Sequence, residues 1–288
     1  MLLNRIRINQ GIKKVMASDF VTMVNRSAQA HGSWLCVGLD PVVDKLPKGV
    51  PRKAAGVVEF CAQIIRATAP YACAFKPNIG FFEALGRDTF SALKDVIDAV
   101  PEGTPIILDA KRSDIGNTAE QYAAAYYDGL GVDAVTVSPY MGWDAVCPFA
   151  ERPGKAAFVL CLTSNPSATE VQMLPVGGEP LFVRVARMVS AWPGTCGLVV
   201  GATQGEMIRQ VREASPGSLF LIPGVGAQGG DLEQSVRLGS WPSGGGALIN
   251  VSRSLLYASG GPDYAEAAAE VASRTREEIA RAQPSEKR

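Results

Sequence analysis

The chain has one histidine, His31, and that scarcity removes much chemistry at the outset. A Ser-His-Asp triad needs an imidazole base, and zinc centres commonly draw on several histidines. A single histidine ahead of the first predicted strand suits neither and reads as a surface or helix-end residue. The six cysteines (Cys36, Cys61, Cys73, Cys147, Cys161 and Cys196) form no C-x-x-C pair. Several sit in apolar runs such as Leu35-Cys36-Val37 and Leu160-Cys161-Leu162, so buried reduced thiols are expected rather than redox or zinc ligands. Excess charge is also missing: 28 Lys and Arg balance 28 Asp and Glu. There is then no bulk field to draw nucleic acid or an anionic membrane, although a local basic site for a small anion is allowed. No apolar run approaches the roughly 18–20 residues of a membrane span. The segment Met1-Leu2-Leu3-Asn4-Arg5-Ile6-Arg7 lacks the apolar core of a signal peptide, and no Walker-type loop is present. A cytoplasmic protein without nucleic-acid or membrane partners is expected.

What remains is a chain of 288 residues, 47% hydrophobic and 19% charged, enough for one large α/β barrel of roughly 250 residues. Short apolar runs at 34–40, 73–76, 105–111, 134–138, 157–163, 197–201, 219–223 and 247–252 are rich in Val, Leu and Ile without strict polar alternation, which predicts parallel strands covered by helices. Amphipathic stretches such as 54–68, 117–129, 181–191, 204–214 and 263–282 lie between them, with Ser113 and Thr118 near one helix start and Gly129 near its stop. Strand then helix, eight times over, predicts a single-domain (β/α)8 TIM barrel. An open doubly wound sheet is its rival, because sequence does not show closure. Residues 1–15 are basic and aperiodic, and Met16-Ala17-Ser18-Asp19-Phe20 resembles a start followed by a helix cap. A flexible N-terminal extension over 1–15 and a barrel over 16–288 are expected. The stretch 165–179, with Pro166, Pro175, Gly177 and Gly178, reads as a long loop able to cover a site.

Polar residues gather where the strands end: Asp40, Lys76, Asp109 with Lys111, Ser138, Ser164, Thr203, then Gln228 and Arg253. In a parallel barrel these ends share one face, the face that carries chemistry. Asp109 and Lys111 are two apart, so their side chains point the same way. An internal salt bridge would account for those two. Lys76 from the neighbouring strand and Asp114 just beyond the strand end add a second base and a second acid, more than one bridge requires. Gly224-Val225-Gly226-Ala227-Gln228-Gly229 matches G-x-G-x-x-G, but it is the seventh βα turn and the next strand ends without an acid, at Asn250 and Ser252, which counts against a dinucleotide fold. Its backbone N–H groups, with Arg253 after the eighth strand, predict a monophosphate site.

Leu108-Asp109-Ala110-Lys111-Arg112-Ser113-Asp114-Ile115 resembles the D-x-K-x-x-D-I signature of the orotidine 5′-monophosphate decarboxylase family, with Ser113 where glycine is common. The likeness continues through Gly38-Leu39-Asp40-Pro41, Phe75-Lys76-Pro77-Asn78, Ser138-Pro139-Tyr140, Thr163-Ser164-Asn165-Pro166, Pro223-Gly224-Val225-Gly226 and Asn250-Val251-Ser252-Arg253, and looks most like the longer bacterial branch. The resemblance implies orotidine 5′-monophosphate as substrate, uridine 5′-monophosphate (UMP) as product, and no metal or organic cofactor. It implies Lys111 as proton donor to C6, Asp109 beside the departing carboxylate, and Lys76 holding Asp109 and the ribose. Asp40 is then a ribose ligand, Ser164 binds the pyrimidine edge, Pro223 belongs to the substrate site, and Gln228 and Arg253 hold the phosphate. Asp114 and Thr118 resemble residues that reach a partner's site, implying a homodimer with shared active sites. Two alternatives remain: a magnesium-dependent sugar-phosphate decarboxylase or synthase of the same suprafamily, and a non-catalytic nucleotide-binding barrel. The former expects an acidic metal ligand where Lys76 stands.

Overall fold

The computed structural model describes residues 19–226 and 229–284, so the expected extension over 1–15 and the predicted phosphate ligand Gln228 lie outside the described residues. Among the described residues, eight parallel strands make one sheet: β1 (Leu35–Leu39), β2 (Ala74–Pro77), β3 (Ile107–Arg112), β4 (Ala134–Val137), β5 (Ala156–Leu162), β6 (Cys196–Val200), β7 (Phe220–Pro223) and β8 (Ala247–Val251). Their order is β2-β1-β8-β7-β6-β5-β4-β3. Parallel bridges from Phe75 to Ile106 and from Asn78 to Asp109 join β2 to β3, which closes the barrel. Closure decides against the open sheet.

Helix α1 (Asp19–His31) precedes the barrel, and α2 (Ala54–Thr68) follows β1. The connection after β2 holds α3 (Ile79–Glu83) and α4 (Thr89–Asp98); α5 (Gly116–Ala124) follows β3 and α6 (Trp143–Ala150) follows β4. The remaining connections carry α7 (Ala168–Gln172) and α8 (Leu181–Ala191), then α9 (Met207–Ala214), α10 (Leu232–Gly239), α11 (Arg253–Leu256) and α12 (Tyr264–Ala282). No helix among the described residues is long and apolar enough to cross a membrane.

The two-residue period of the strands sorts side chains into two cores. One parity packs against the helices, as with Val37, Phe75, Leu108, Val135 and Ile249. The other points into the barrel and builds a second core from Cys36, Ala74, Ile107, Phe158 and Leu248. Helix α1 plugs the lower end of this inner core with Phe20, Val24 and Ala28, and Phe20 meets Phe158 edge-on at 6.0 Å. Further along the same parity the residues turn polar: Lys76, Asp109, Thr136 and Asn250 one step on, and Asp40 two steps on, past Gly38. The apolar plug and the polar mouth are thus consecutive layers of the same strands.

Two local departures from the sequence expectations have physical causes. Residues 165–179 are not a bare loop, since they contain α7 and the first five residues of a small hairpin that pairs Pro175–Val176 with Glu179–Pro180. Gly177 and Gly178, both at positive φ, form its turn. The helix after β3 passes Gly129, widens into a π-turn over Ala125–Leu130 and ends at Gly131, φ 82°. The wider turn accompanies the burial of two consecutive tyrosines: Tyr126 accepts from Arg112 Nε at 2.6 Å, while Tyr127 donates to the Ala156 carbonyl at 2.8 Å.

The cysteines are all unpaired, with Cys36, Cys61, Cys73 and Cys161 buried. His31 closes α1, its Nδ1 2.8 Å from the Ser27 carbonyl oxygen. Arg212 is a buried charge that the sequence did not mark. It donates to the carbonyls of Gly239, Ser215, Ser218 and Gly246 and lies 3.6 Å from the Phe220 ring centroid, while burial lowers its pKa to about 9. Those carbonyls tie the end of α9 to the loops before β7 and β8, so its role is to hold the scaffold.

Candidate active site

Ile107, Asp109 and Lys111 show how β3 is made to deliver two charged side chains to one point. Leu108 pairs with Val135 and Arg112 with Val137, so four steps of β3 oppose two of β4. The surplus forms a bulge. Within it Lys111 takes φ 48°, the one positive φ of a non-glycine residue among those described. Such a conformation costs on the order of 1–3 kcal/mol and persists where surrounding bonds fix it. The bulge turns the Lys111 ammonium back onto Asp109, with Nζ 2.5 Å from Oδ1. Lys76, from the adjacent β2, meets the other oxygen, Oδ2, at 3.0 Å.

A carboxylate between two ammonium groups is the result, and the three groups differ in exposure. The Lys76 side chain is 3% exposed and that of Asp109 14%, whereas that of Lys111 is 51% exposed to the cavity. Burial works against the charge on Asp109, but Lys76 and Lys111 beside it outweigh that and hold its carboxyl well below the usual carboxylate range. Burial likewise disfavours the Lys76 cation, and the charges of Asp109 and Asp40 reverse the effect and raise it above an ordinary lysine. Both groups therefore stay ionised from about pH 4 to about pH 10.

The cavity above this pair measures about 510 Å³, within the usual size of a small-molecule site. Lys76, Asp109 and Lys111 line it together with Asp40, Ser164, Pro223 and Arg253. Seven of the predicted site residues therefore meet in one place. Asp40 accepts from Ser252 Oγ at 2.5 Å through Oδ2, while its buried Oδ1 has no partner among the described residues. An acceptor held this way suits a ligand hydroxyl. Arg253 opens α11 at the rim, and among the described residues no carboxylate pairs with it. Leu160, Val199 and Leu221 give the cavity an apolar part.

The glycine turn borders the cavity. Gly224, Gly226 and Gly229 all adopt positive φ, as the tight turn requires. Yet the N–H groups of Gly226, Gly229 and Gly230 donate to carbonyls within the turn itself. Gly224 and Val225 line the cavity.

Asp114 and Thr118 are not brought to this cavity. Asp114 lies between β3 and α5, where its Oδ1 accepts the Ile115 N–H at 2.9 Å, and Thr118 is exposed in the first turn of α5. Among the cavity residues left unassigned on the sequence are Asn78, Thr136, Asn250 and Ser252. Asn78 caps α3, Ser252 holds Asp40, and Thr136 bonds Asp109 at 2.9 Å. Each shares the inward parity of its strand, the signal that could have found them. Among the described residues no group of three His, Cys, Asp or Glu side chains is arranged to hold a metal.

Comparison with known proteins supplies independent findings. The model of the orotidine 5′-phosphate decarboxylase / HUMPS family matches residues 33–271. The orotidine 5′-phosphate decarboxylase of Herpetosiphon aurantiacus is 49% identical over 257 residues, covering 88% of this chain and 95% of that protein. Its counterpart from Azoarcus sp. strain BH72 is 47% identical over 264 residues, covering 90% and 98%. The solved structure of the Leishmania donovani OMP decarboxylase superposes with a TM-score of 0.79 at 41% identity, covering 90% of this chain and 98% of that one.

Proposed function

The chain belongs to the orotidine 5′-phosphate decarboxylase / HUMPS family, and from that premise we propose how its cavity converts orotidine 5′-monophosphate into UMP. The carrying observation is the Lys76–Asp109–Lys111 arrangement, in which Lys111 alone of the three is half-exposed to the cavity. The substrate carboxylate lies against Asp109, and the C6–carboxylate bond breaks so that carbon dioxide leaves and the electron pair stays on C6. No conventional sink receives that pair. The Lys111 ammonium stabilises it electrostatically and then transfers a proton from Nζ to C6, yielding UMP and a neutral lysine that solvent reprotonates. Lys76 keeps Asp109 ionised and oriented and reaches the ribose, Asp40 accepts from a ribose hydroxyl, Ser164 and Pro223 meet the pyrimidine, and Arg253 with Gln228 binds the phosphate. Binding of the distant phosphate contributes to rate by fixing the ring over Lys111.

The magnesium-dependent alternative expects an acid where Lys76 stands, and Lys76 is already the buried partner of Asp109. Purified protein is therefore expected to turn over orotidine 5′-monophosphate at an undiminished rate in excess chelator. A folded sample without turnover, or one strictly dependent on added magnesium, overturns this reading.

Arg253→Ala is expected to weaken UMP binding roughly 10- to 100-fold, the worth of a charge-assisted bond to phosphate. Calorimetric titration with UMP reads this directly, and an unchanged affinity removes Arg253 from the phosphate site.

Asp114 and Thr118 serve the cavity of a partner subunit in a homodimer. Their place on the rim outside the cavity supports this, as do the exposed apolar side chains of Ile115, Tyr140 and Met141 on the β3 and β4 loops. Six cysteines without a disulfide fit a reducing cytoplasm.

A further inference from the structure

We propose that Thr136 is a positioning residue that locks Lys111 and Asp109 in their working geometry. It stands in the middle of β4, in the apolar run Ala134-Val135-Thr136-Val137, and is 1% exposed. Its hydroxyl accepts from the backbone N–H of Ala110 and of Lys111, each at 3.0 Å, and donates to Asp109 Oδ1 at 2.9 Å. A hydroxyl has one proton and two lone pairs, so this one is fully used. It has nothing left for substrate and acts only through its three neighbours on β3.

Those neighbours are the strained point of the barrel. The β3 bulge leaves the N–H groups of Ala110 and Lys111 out of register with β4, and the Thr136 oxygen takes the place of the missing strand acceptor for both. The same oxygen fixes the Asp109 oxygen that also holds the Lys111 ammonium at 2.5 Å. One side chain therefore clamps the left-handed backbone of Lys111 directly and its ammonium through Asp109. Valine has the same shape and none of these bonds. In its place two buried donors lose their acceptor, and the bulge can relax by moving Lys111 relative to the bound ring.

The catalytic consequence rests on the reading of Lys111 as proton donor, and the test keeps the two apart. Wild type, Thr136→Val and Thr136→Ser are compared in orotidine 5′-monophosphate turnover and in amide exchange across residues 108–113. Thr136→Val is expected to lower kcat about 100-fold, the scale of a small misplacement of a reacting group, with KM nearly unchanged. Thr136→Ser, which keeps the hydroxyl, is expected to stay within about 5-fold of wild type and to leave exchange at Ala110 and Lys111 slow. Thr136→Cys, with a weakly bonding thiol of similar size, carries the same expectation as valine should the latter fold poorly. A valine variant with wild-type kcat overturns the proposal, and so does a serine variant as impaired as valine, which would assign the effect to packing. Wild type that fails to turn over substrate refutes the functional reading instead, while unchanged exchange in Thr136→Val refutes the clamp whatever the substrate.

Discussion

Lys111→Ala is expected to lower turnover of orotidine 5′-monophosphate by at least about 10⁴-fold, the upper range of losing a general acid, because the same group also stabilises the carbanion it protonates. The geometry makes the loss selective. Lys111 is the exposed end of the charged triad, so its removal leaves the buried Lys76–Asp109 pair and its 3.0 Å contact in place. Alanine at φ 48° is no more strained than lysine, since both carry a Cβ. The fold and the phosphate site should therefore survive, and UMP should still bind. Rapid-quench assays of turnover beside calorimetric binding of UMP separate the two effects. Lys111→Cys followed by aminoethylation restores an ammonium at nearly the original reach, so part of the lost rate should return. A Lys111→Ala enzyme within tenfold of wild type would assign the proton donor elsewhere.

That the two charges of β3 could be read from sequence, while the clamp beneath them could not, follows from how each is encoded. Asp109 and Lys111 are two apart in an apolar run, and charged residues in such a place need a partner. The expectation of a shared side was right, although the backbone that achieves it is a bulge with a left-handed lysine, which no spacing argument contains. Lys76 became legible because the predicted run 73–76 is short and ends on it, one residue before β2 closes at Pro77. Thr136 shares the inward parity, but a β-branched residue in a strand looks like a propensity choice, and its three bonds depend on a register shift in the neighbouring strand. Asn250 and Ser252 were visible at the end of the eighth strand, but their meaning required the closed barrel that sets β8 beside β1 and Ser252 against Asp40. The strands themselves were placed within about two residues, because burial on both faces writes a continuous apolar run. The helix bounds held comparably, as over 54–68 and 181–191, and the helix after β3 ran one residue past the expected stop at Gly129, where Tyr126 and Tyr127 are buried in a π-turn.

Mixing inactive Lys111→Ala and Asp114→Ala subunits is expected to restore roughly a quarter of wild-type activity if the enzyme is a homodimer with shared sites. Random exchange makes half of the dimers mixed. In each mixed dimer one cavity carries both substitutions and the other carries neither. That second cavity draws Lys111 from the Asp114→Ala chain and Asp114 from the Lys111→Ala chain, so it is complete. The structure motivates the test because Asp114 lies on the rim between β3 and α5 and does not line its own chain's cavity, although only two residues separate it from Lys111. The intervening bulge directs Lys111 inward and leaves Asp114 to accept the Ile115 N–H at the edge. A carboxylate there that served its own cavity would have to abandon that bond and turn back over the strand end. If it instead crosses to a partner, neither parent has a working site, and the mixture gains far more activity than the residual rates of the two parents combined. Verified subunit exchange with no gain in rate would place Asp114 in its own chain's chemistry and remove the argument for shared sites.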